Sequence, residues 1–369
     1  MTVLVIGGGI IGCAVAESLA RANCRVTLLE RGTVGTEASS VAAGLLAPQL
    51  EAHGPGPFLD LCLASRALFP DVVARLTRDT ALPIDFQPTG LYFLVFTEED
   101  AREADTRLTW QVQRGLQIQR LTREELLRRE PALNPSVRWG LFFPEDHQVD
   151  SAQLTRAYAE AARRRGVTII EGVEVKQLRH QRGRVHGVIS DDGRTWEASI
   201  VVDAAGSWAA FDPELPFAIP VEPAKGQLLV YQLTHPLLKR AVKSSQAYCI
   251  PRGDGRLIVG TTVEFVGFDR QITAEASTRL HHAAAAVCPQ LQQHSYRDAL
   301  VNFRPATPDR LPLLGATPIK NFYLATGHFR NGILLAPMTA QLMTDLMTTG
   351  RASISLEPFS LTRFLESAA

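Results

Sequence analysis

The stretch VLVIGGGIIGCAVAESLARANCRVTLLER, residues 3–31, restricts what this chain can fold into more than any other. Val3 to Ile6 is an apolar run of the kind that forms a buried parallel strand. Ile10 to Ala22 is rich in Ala and Leu and reads as a helix. Arg25 to Glu30 is apolar again. Strand, glycine-rich turn, helix and strand within ~30 residues make a βαβ unit. Gly7, Gly9 and Gly12 stand at the turn in GxGxxG spacing, with Ile10 and Ile11 between the last two. Gly7 permits the tight turn. Gly9 lets the backbone approach a pyrophosphate, and Gly12 lets the helix pack closely on the sheet. The phosphate is then expected at the helix N-terminus, where free N–H groups and the dipole favour an anion. Glu30 ends the second strand, 18 residues past Gly12. A carboxylate there accepts hydrogen bonds from ribose hydroxyls and disfavours a 2′-phosphate, which argues against NADP.

Composition removes whole classes of function. The 369 residues carry 38 Lys+Arg and 38 Asp+Glu, a net charge of zero. A general nucleic-acid binder would show a strong basic excess. Hydrophobic residues make up 46% and charged residues 21%, as in a globular protein with a full core. The five cysteines are odd in number, widely spaced and lack a CxxC, so neither a disulfide framework nor a zinc ribbon is expected. The chain enters an apolar strand at residue 3 with no basic segment before it, and no long apolar run follows. Neither a signal peptide nor a membrane span is expected, which leaves a cytoplasmic location.

The rest of the chain alternates in character. Phe58–Thr80 reads as a long helix interrupted near Pro70, Gly90–Phe96 as a strand, and Glu98–Gly115 as a charged amphipathic helix. Thr122 and Glu125 have capping-box spacing, and Asp150 with Ser151 opens a helix that Gly166 stops. Val167–Asp203 reads as a strand meander running into VVDAAGSWA. Val221–Leu233 and Gln246–Val263 are strand-like, Thr273–Cys288 helical, Asn321–Thr326 a strand and Gly332–Thr348 a helix. With αβ units at both ends and β-rich segments between, the predicted class is α/β. A Rossmann-like domain is assembled from discontinuous segments, and an antiparallel-sheet domain is inserted into it. We expect the dinucleotide domain over 1–80, 146–217 and 303–369, and the second domain over 81–145 and 218–302.

SSVAAGLLAP, residues 39–48, follows the βαβ unit. Ser39 and Ser40 offer hydroxyls and N–H groups to a second phosphate. The small residues Ala42, Ala43 and Gly44, followed by Leu45, let backbone lie against a flat ring. An ordinary capped helix is the other reading of this stretch.

Together with VIGGGIIG (5–12), this segment and VVDAAGSW (201–208), YCIPRGDGRLIVGTT (248–262), FRPATPDRLPLLG (303–315) and GHFRNGILLAP (327–337) carry a resemblance. They occur in family order and span essentially the whole chain. The chain resembles the D-amino acid oxidase superfamily of flavoproteins, and within it the glycine oxidases of bacterial thiamine biosynthesis. The resemblance implies non-covalent FAD. It places Glu30 and Arg31 at the adenosine ribose, Ser39 and Ser40 at the pyrophosphate, and Val175 backbone at the adenine. Ala205, Gly206 and Trp208 would pass beside the cofactor. His328, Arg330, Asn331, Gly332, Ile333 and Leu334 would form the loop and helix start beside the flavin. The dipole of the helix beginning at Gly332 would favour negative charge on the reduced ring. His328 also reads as a packing histidine.

The resemblance aligns Arg304 with the carboxylate-binding arginine, Tyr248 with a tyrosine donating to the same carboxylate, and Arg330 with an arginine near flavin and substrate. Arginine suits a carboxylate because its planar fork makes two parallel charge-assisted bonds. The implied reaction oxidises a small amino acid or amine bearing a carboxylate (glycine, sarcosine or a small D-amino acid). Its products are the oxo acid, ammonia and, with molecular oxygen as acceptor, hydrogen peroxide. A dehydrogenase of D-amino acids or proline passing electrons to a quinone or dye stays open, as does a non-catalytic FAD-binding protein. A homo-oligomer, a tetramer by resemblance, and handover to a thiazole synthase are further implications. Neither nucleic acid nor membrane is an expected partner. Gln246, Val263 and Leu45 replace a histidine and two methionines of relatives at expected pocket positions, and Arg310 replaces a glycine. The segment NFRP, 302–305, lacks the cysteine through which monomeric sarcosine oxidases attach flavin.

Overall fold

The computed structural model describes residues 1–365. A six-stranded sheet has the order Leu313–Ala316, Phe322–Thr326, Ile200–Asp203, Thr2–Ile6, Arg25–Glu30, Thr168–Glu171. All neighbours are parallel except the first pair. Side chains alternate across it. Val3, Val5, Val26 and Leu28 pack under the helices, whereas Leu4, Ile6 and Leu29 face the small meander Val175–Gln181, Arg184–Ser190, Thr195–Glu197. Each fully buried aliphatic contributes roughly 1.5–3 kcal/mol, which is why these strands read as continuous apolar runs.

Helix Ile10–Arg21 packs between Ser151–Arg164 and Gly332–Thr349. A Cβ on Gly12 would overlap the Gly7 carbonyl, so only glycine allows this approach. Helix Gly332–Thr349 contains Pro337, which has no N–H to donate. One residue on, the Ser65 hydroxyl accepts from Met338 N at 3.3 Å and donates to Leu334 O at 2.6 Å. It bridges the break in the helix ladder.

The second large sheet has eight strands, in the order Asp298–Ala306, Glu222–Gln232, Arg256–Gly260, Tyr248–Pro251, Ala241–Lys243, Leu91–Val95, Trp139–Phe143, Gln119–Thr122. Pairing is antiparallel except between Ala241–Lys243 and Leu91–Val95. Its strands come from separated parts of the chain, as do those of the parallel sheet.

Several local expectations need correction. Val167–Asp203 is not one meander. Thr168–Glu171 and Ile200–Asp203 join the parallel sheet, because their apolar residues fit its two buried faces. Phe58–Thr80 is two helices, Pro57–Ala67 and Phe69–Thr80, with Pro70 in the first turn of the second, where its missing N–H is not needed. Asp298–Ala306 is one continuous strand, so it runs through the expected boundary at 302/303 and carries Arg304 near its end. Arg310 adopts a φ of 61°, the left-handed region that favours glycine. Among the described residues no helix is long and apolar enough to cross a membrane, and the five cysteines are unpaired.

Candidate active site

One long cleft, with about 1690 Å³ of space partly open to solvent, runs from the GxGxxG turn to the eight-stranded sheet. At its dinucleotide end Gly7 has φ +100°, and a Cβ there would lie 2.6 Å from Ala204 O. Gly9, at the start of helix Ile10–Arg21, has no side chain to cap it, and the first-turn N–H groups after Ile10 are left for an anion. The Ser39 hydroxyl accepts from Ile10 N at 2.9 Å and so stands at that helix start. Glu30 Oε2 accepts from Gly8 N at 2.6 Å, and Oε1 accepts from Gly32 N at 2.8 Å. The Glu30 carboxylate therefore ties the glycine turn to the end of the second strand and lines the cleft beside it.

The residues after Ser39 bend backbone into the cleft. Gly44 has φ +69°, and a Cβ there would overlap the Val149 carbonyl. Three bonds hold this stretch: Val149 N to Gly44 O at 2.9 Å, Ser151 Oγ to Ala42 O at 2.7 Å, and Arg252 Nη2 to Ala43 O at 2.6 Å. Arg252 and Ser151 were not foreseen as site residues. The arginine of CIPR was visible in the sequence, but its reach across the fold was not.

The segments expected beside the cofactor meet here. Ile10, Ile11, Arg31, Ala42, Ala43, Leu45, Val175, Ala205, Gly206, Trp208, His328, Asn331, Gly332 and Ile333 all line the cleft. Three predicted residues do not. Gly12 lies behind the turn as a packing position. The Ser40 hydroxyl donates to the Thr36 and Glu37 carbonyls at 2.9 Å. Leu334 is buried in the helical core. His328 Nε2 bonds to Thr339 Oγ1 at 3.0 Å, and burial lowers its pKa to about 3, so the ring is neutral. Gln246 and exposed Val263 stand outside the cleft wall, unlike Leu45.

A strap over 263–272 crosses from the eight-stranded sheet to the dinucleotide end. Phe268 stacks on Trp208 at 4.9 Å, and the Arg31 guanidinium lies 3.7 Å from the Trp208 ring centre. Arg31 and Arg270 both bond to Glu37, at 2.8 Å and 2.6 Å. Burial works against the Glu37 charge, but the two arginines hold its pKa below the usual value.

At the other end Arg304 is fixed. Its Nη2 donates to Thr261 Oγ1 at 2.7 Å and its Nη1 to Thr262 O at 3.2 Å. Room for the guanidinium comes from Gly226 on the neighbouring strand, where a Cβ would overlap it. Tyr248 lies over Gly260 in the same way. Burial raises the Tyr248 pKa, with the Arg304 charge opposing it, so the hydroxyl keeps its proton as a donor. These two glycines inside strands were the sequence signal for close approach. Arg330, at the cleft mouth, bonds to Glu51 Oε1 at 3.1 Å. Glu51 itself was not foreseen.

The glycine cradle, the helix start beside Ser39 and the Glu30 carboxylate fit the phosphates and ribose of a dinucleotide. The backbone of 42–44 and the start of the helix at Gly332 fit a flat ring. The family described as FAD dependent oxidoreductase matches residues 2–346, so the chain belongs to the D-amino acid oxidase family of FAD-dependent oxidoreductases, and FAD is its cofactor. Among its relatives is the glycine oxidase of Geobacillus kaustophilus, 36% identical over 98% of this chain and 97% of that protein. The crystal structure of a glycine oxidase from that organism matches with a TM-score of 0.94, covering 98% of both chains. The bifunctional protein ThiO/ThiG of Synechocystis is 40% identical over 98% of this chain. The chain spans about half of that relative's length, 54%.

Proposed function

We propose that this enzyme oxidatively deaminates glycine or a similarly small amino acid or amine, such as sarcosine or a small D-amino acid. With one water and one molecular oxygen consumed, the products are the oxo acid, ammonia (methylamine from sarcosine) and hydrogen peroxide. The observation that carries this reading is Arg304. It is held by neutral oxygens of Thr261 and Thr262 beside Tyr248, in a cleft continuous with the dinucleotide site. A cation so placed has no carboxylate partner among the described residues and is available to one on the substrate. Similarity to glycine oxidases over nearly the full chain supports the same substrate class.

Each residue has a part in that chemistry. Arg304 takes the substrate carboxylate through its fork, and Tyr248 donates its hydroxyl to the same group. Fixing the carboxylate orients the α-carbon toward the cofactor, and orientation is the protein's part in chemistry that the cofactor carries. Gly7, Gly9, Ser39 and Glu30 hold the dinucleotide end, and residues 42–44 the ring. FAD, when bound, would supply the two-electron oxidant, and the segment 302–305, NFRP, offers it no cysteine for covalent attachment. Neutral His328 keeps a second positive charge away from the ring. The fused ThiO/ThiG relatives support a place upstream of a thiazole synthase, with the oxidised product as the material handed on.

The test is a peroxide assay of the FAD-loaded enzyme with glycine, sarcosine and D-alanine, in oxygen and with an artificial acceptor. Peroxide formed from at least glycine is the expected result. Turnover only with the dye would make the enzyme a dehydrogenase, and no turnover with any of the three would overturn the reading.

A further inference from the structure

At this end the cleft is lined by two cations, Arg304 and Arg330, and one carboxylate, Glu51, with a third cation, Lys243, behind it, and their arrangement is uneven. Arg304 bonds only to neutral oxygens. Arg330 bonds, among the described residues, to Glu51 alone, and its side chain is 31% exposed. Glu51 accepts from a second cation too. Lys243 Nζ lies 3.2 Å from the same Oε1, behind the carboxylate and outside the cleft lining.

The two partners of Glu51 differ in freedom. Lys243 ends strand Ala241–Lys243, in register with Tyr248 on one side and Phe93 on the other. Arg330 sits at the mouth of the cleft, in the loop between strand Phe322–Thr326 and helix Gly332–Thr349. Glu51 itself is held in place. Leu50 N donates to Asp146 Oδ2 at 3.0 Å, and Arg107 Nη1 donates to Ala52 O at 2.8 Å. Burial opposes the Glu51 charge, but Lys243 and Arg330 bring its pKa down to about 2, so it stays ionised.

We infer that Glu51 and Lys243 are positioning residues that set how much of Arg330's charge reaches the substrate. This rests on the reading of the cleft as an amino-acid site. When Arg330 turns from Glu51 toward a substrate carboxylate, Lys243 still compensates Glu51, so no buried charge is left unpaired. Without Lys243, Arg330 would be the one remaining ion-pair partner of Glu51 among the described residues, with Arg107 acting on the carboxylate only without direct contact, and Glu51 would hold Arg330 against the substrate. Without the Glu51 charge, Arg330 would be free for it. The two changes therefore act in opposite directions on carboxylate binding. Residues with only a structural role would weaken binding in both cases.

The test titrates FAD-loaded protein with acetate, which has the carboxylate but no amine to oxidise, and follows the flavin absorption. Acetamide, the neutral analogue, is the control. Glu51→Gln should bind acetate about tenfold more tightly and Lys243→Met about tenfold more weakly, where tenfold in Kd is ~1.4 kcal/mol. Lys243→Arg should stay near wild type, and acetamide should not distinguish the proteins. In the double variant, Lys243→Met should lose most of its effect, because it acts through Glu51. Single variants that shift in the same direction, or do not shift, overturn the inference. If Lys243→Met does not hold FAD, Glu51→Gln decides alone, and unchanged or weaker acetate binding overturns the inference. Acetate that leaves the wild-type flavin unperturbed overturns the amino-acid reading of the cleft, and this inference with it.

Discussion

Two buried carboxylates, one near each end of the cleft, are driven in opposite directions. Asp203 ends a central strand at the dinucleotide end, fully buried, with Oδ1 accepting from Ala205 N at 2.9 Å and Oδ2 without a partner among the described residues. Burial pushes its pKa up to about 7. Glu51, at the substrate end, is buried too, but Lys243 and Arg330 hold it ionised. The contrast follows how each end is built. Around Asp203 the dinucleotide end is shaped by backbone and glycines, and its charged groups Glu30, Arg31, Glu37 and Arg270 lie further along the cleft. Around Glu51, charged side chains converge from a strand, a helix and a loop. The surroundings of the first carboxylate give shape, and those of the second give charge.

Breaking the backbone end should have the largest effect. Gly7→Val puts a side chain into the Ala204 carbonyl at a φ of +100°, so the protein should purify without flavin, as read by its absorption spectrum. At the charged end, Tyr248→Phe removes one donor to a charged group, worth ~1.5–3 kcal/mol. KM for glycine should rise about tenfold or more, with FAD content unchanged.

Asp203 sharpens the contrast through pH. Its pKa is raised on folding from 3.8 to about 7, so the folded state holds the proton more tightly than the unfolded chain. Its contribution to stability is therefore fully present below 3.8, declines as pH rises toward 7, and stays low above that. Asp203→Asn cannot ionise, so it should raise Tm relative to wild type at pH 8, by on the order of 2 °C, and by less at pH 5. An equal shift at both pH values would mean that the carboxylate is not held neutral. The smallest effect is at the strap. Arg270→Ala removes a half-exposed pair with Glu37, worth up to ~1 kcal/mol. FAD should bind about two- to fivefold more weakly, with kcat of the loaded enzyme unchanged.

The same contrast explains what could be read from the sequence. Gly7, Gly9, Gly12 and Glu30 were legible because a backbone cradle imposes a fixed local spacing. The α/β class and the separated strands followed from apolar runs bounded by turn residues. Arg304, Tyr248 and Arg330 came from resemblance, since their meeting depends on sheet order, which local pattern does not encode. Glu51, Lys243, Arg252 and Ser151 were missed for the same reason. The Glu51–Lys243 contact spans 192 residues and the Arg252–Ala43 bond 209. Val167–Asp203 reads as one meander because its strands follow one another across short turns, and only pairing separates those of the parallel sheet from those of the small one. Ser40 was placed at the pyrophosphate, yet its hydroxyl closes its own turn, as serines near helix starts commonly do.

In the proposed reaction Arg304 fixes the carboxylate of a small amino acid for oxidation by FAD. The most direct test of this is anaerobic mixing of the FAD-loaded enzyme with glycine while the flavin colour is followed, for wild type and for Arg304→Met. Truncating one partner of a buried charge pair costs roughly 2–5 kcal/mol. Wild type should therefore bleach, and the variant should keep its FAD but need on the order of a hundredfold more glycine. A wild-type flavin that glycine and other small amino acids leave coloured, or a variant that bleaches as readily as wild type, would contradict it.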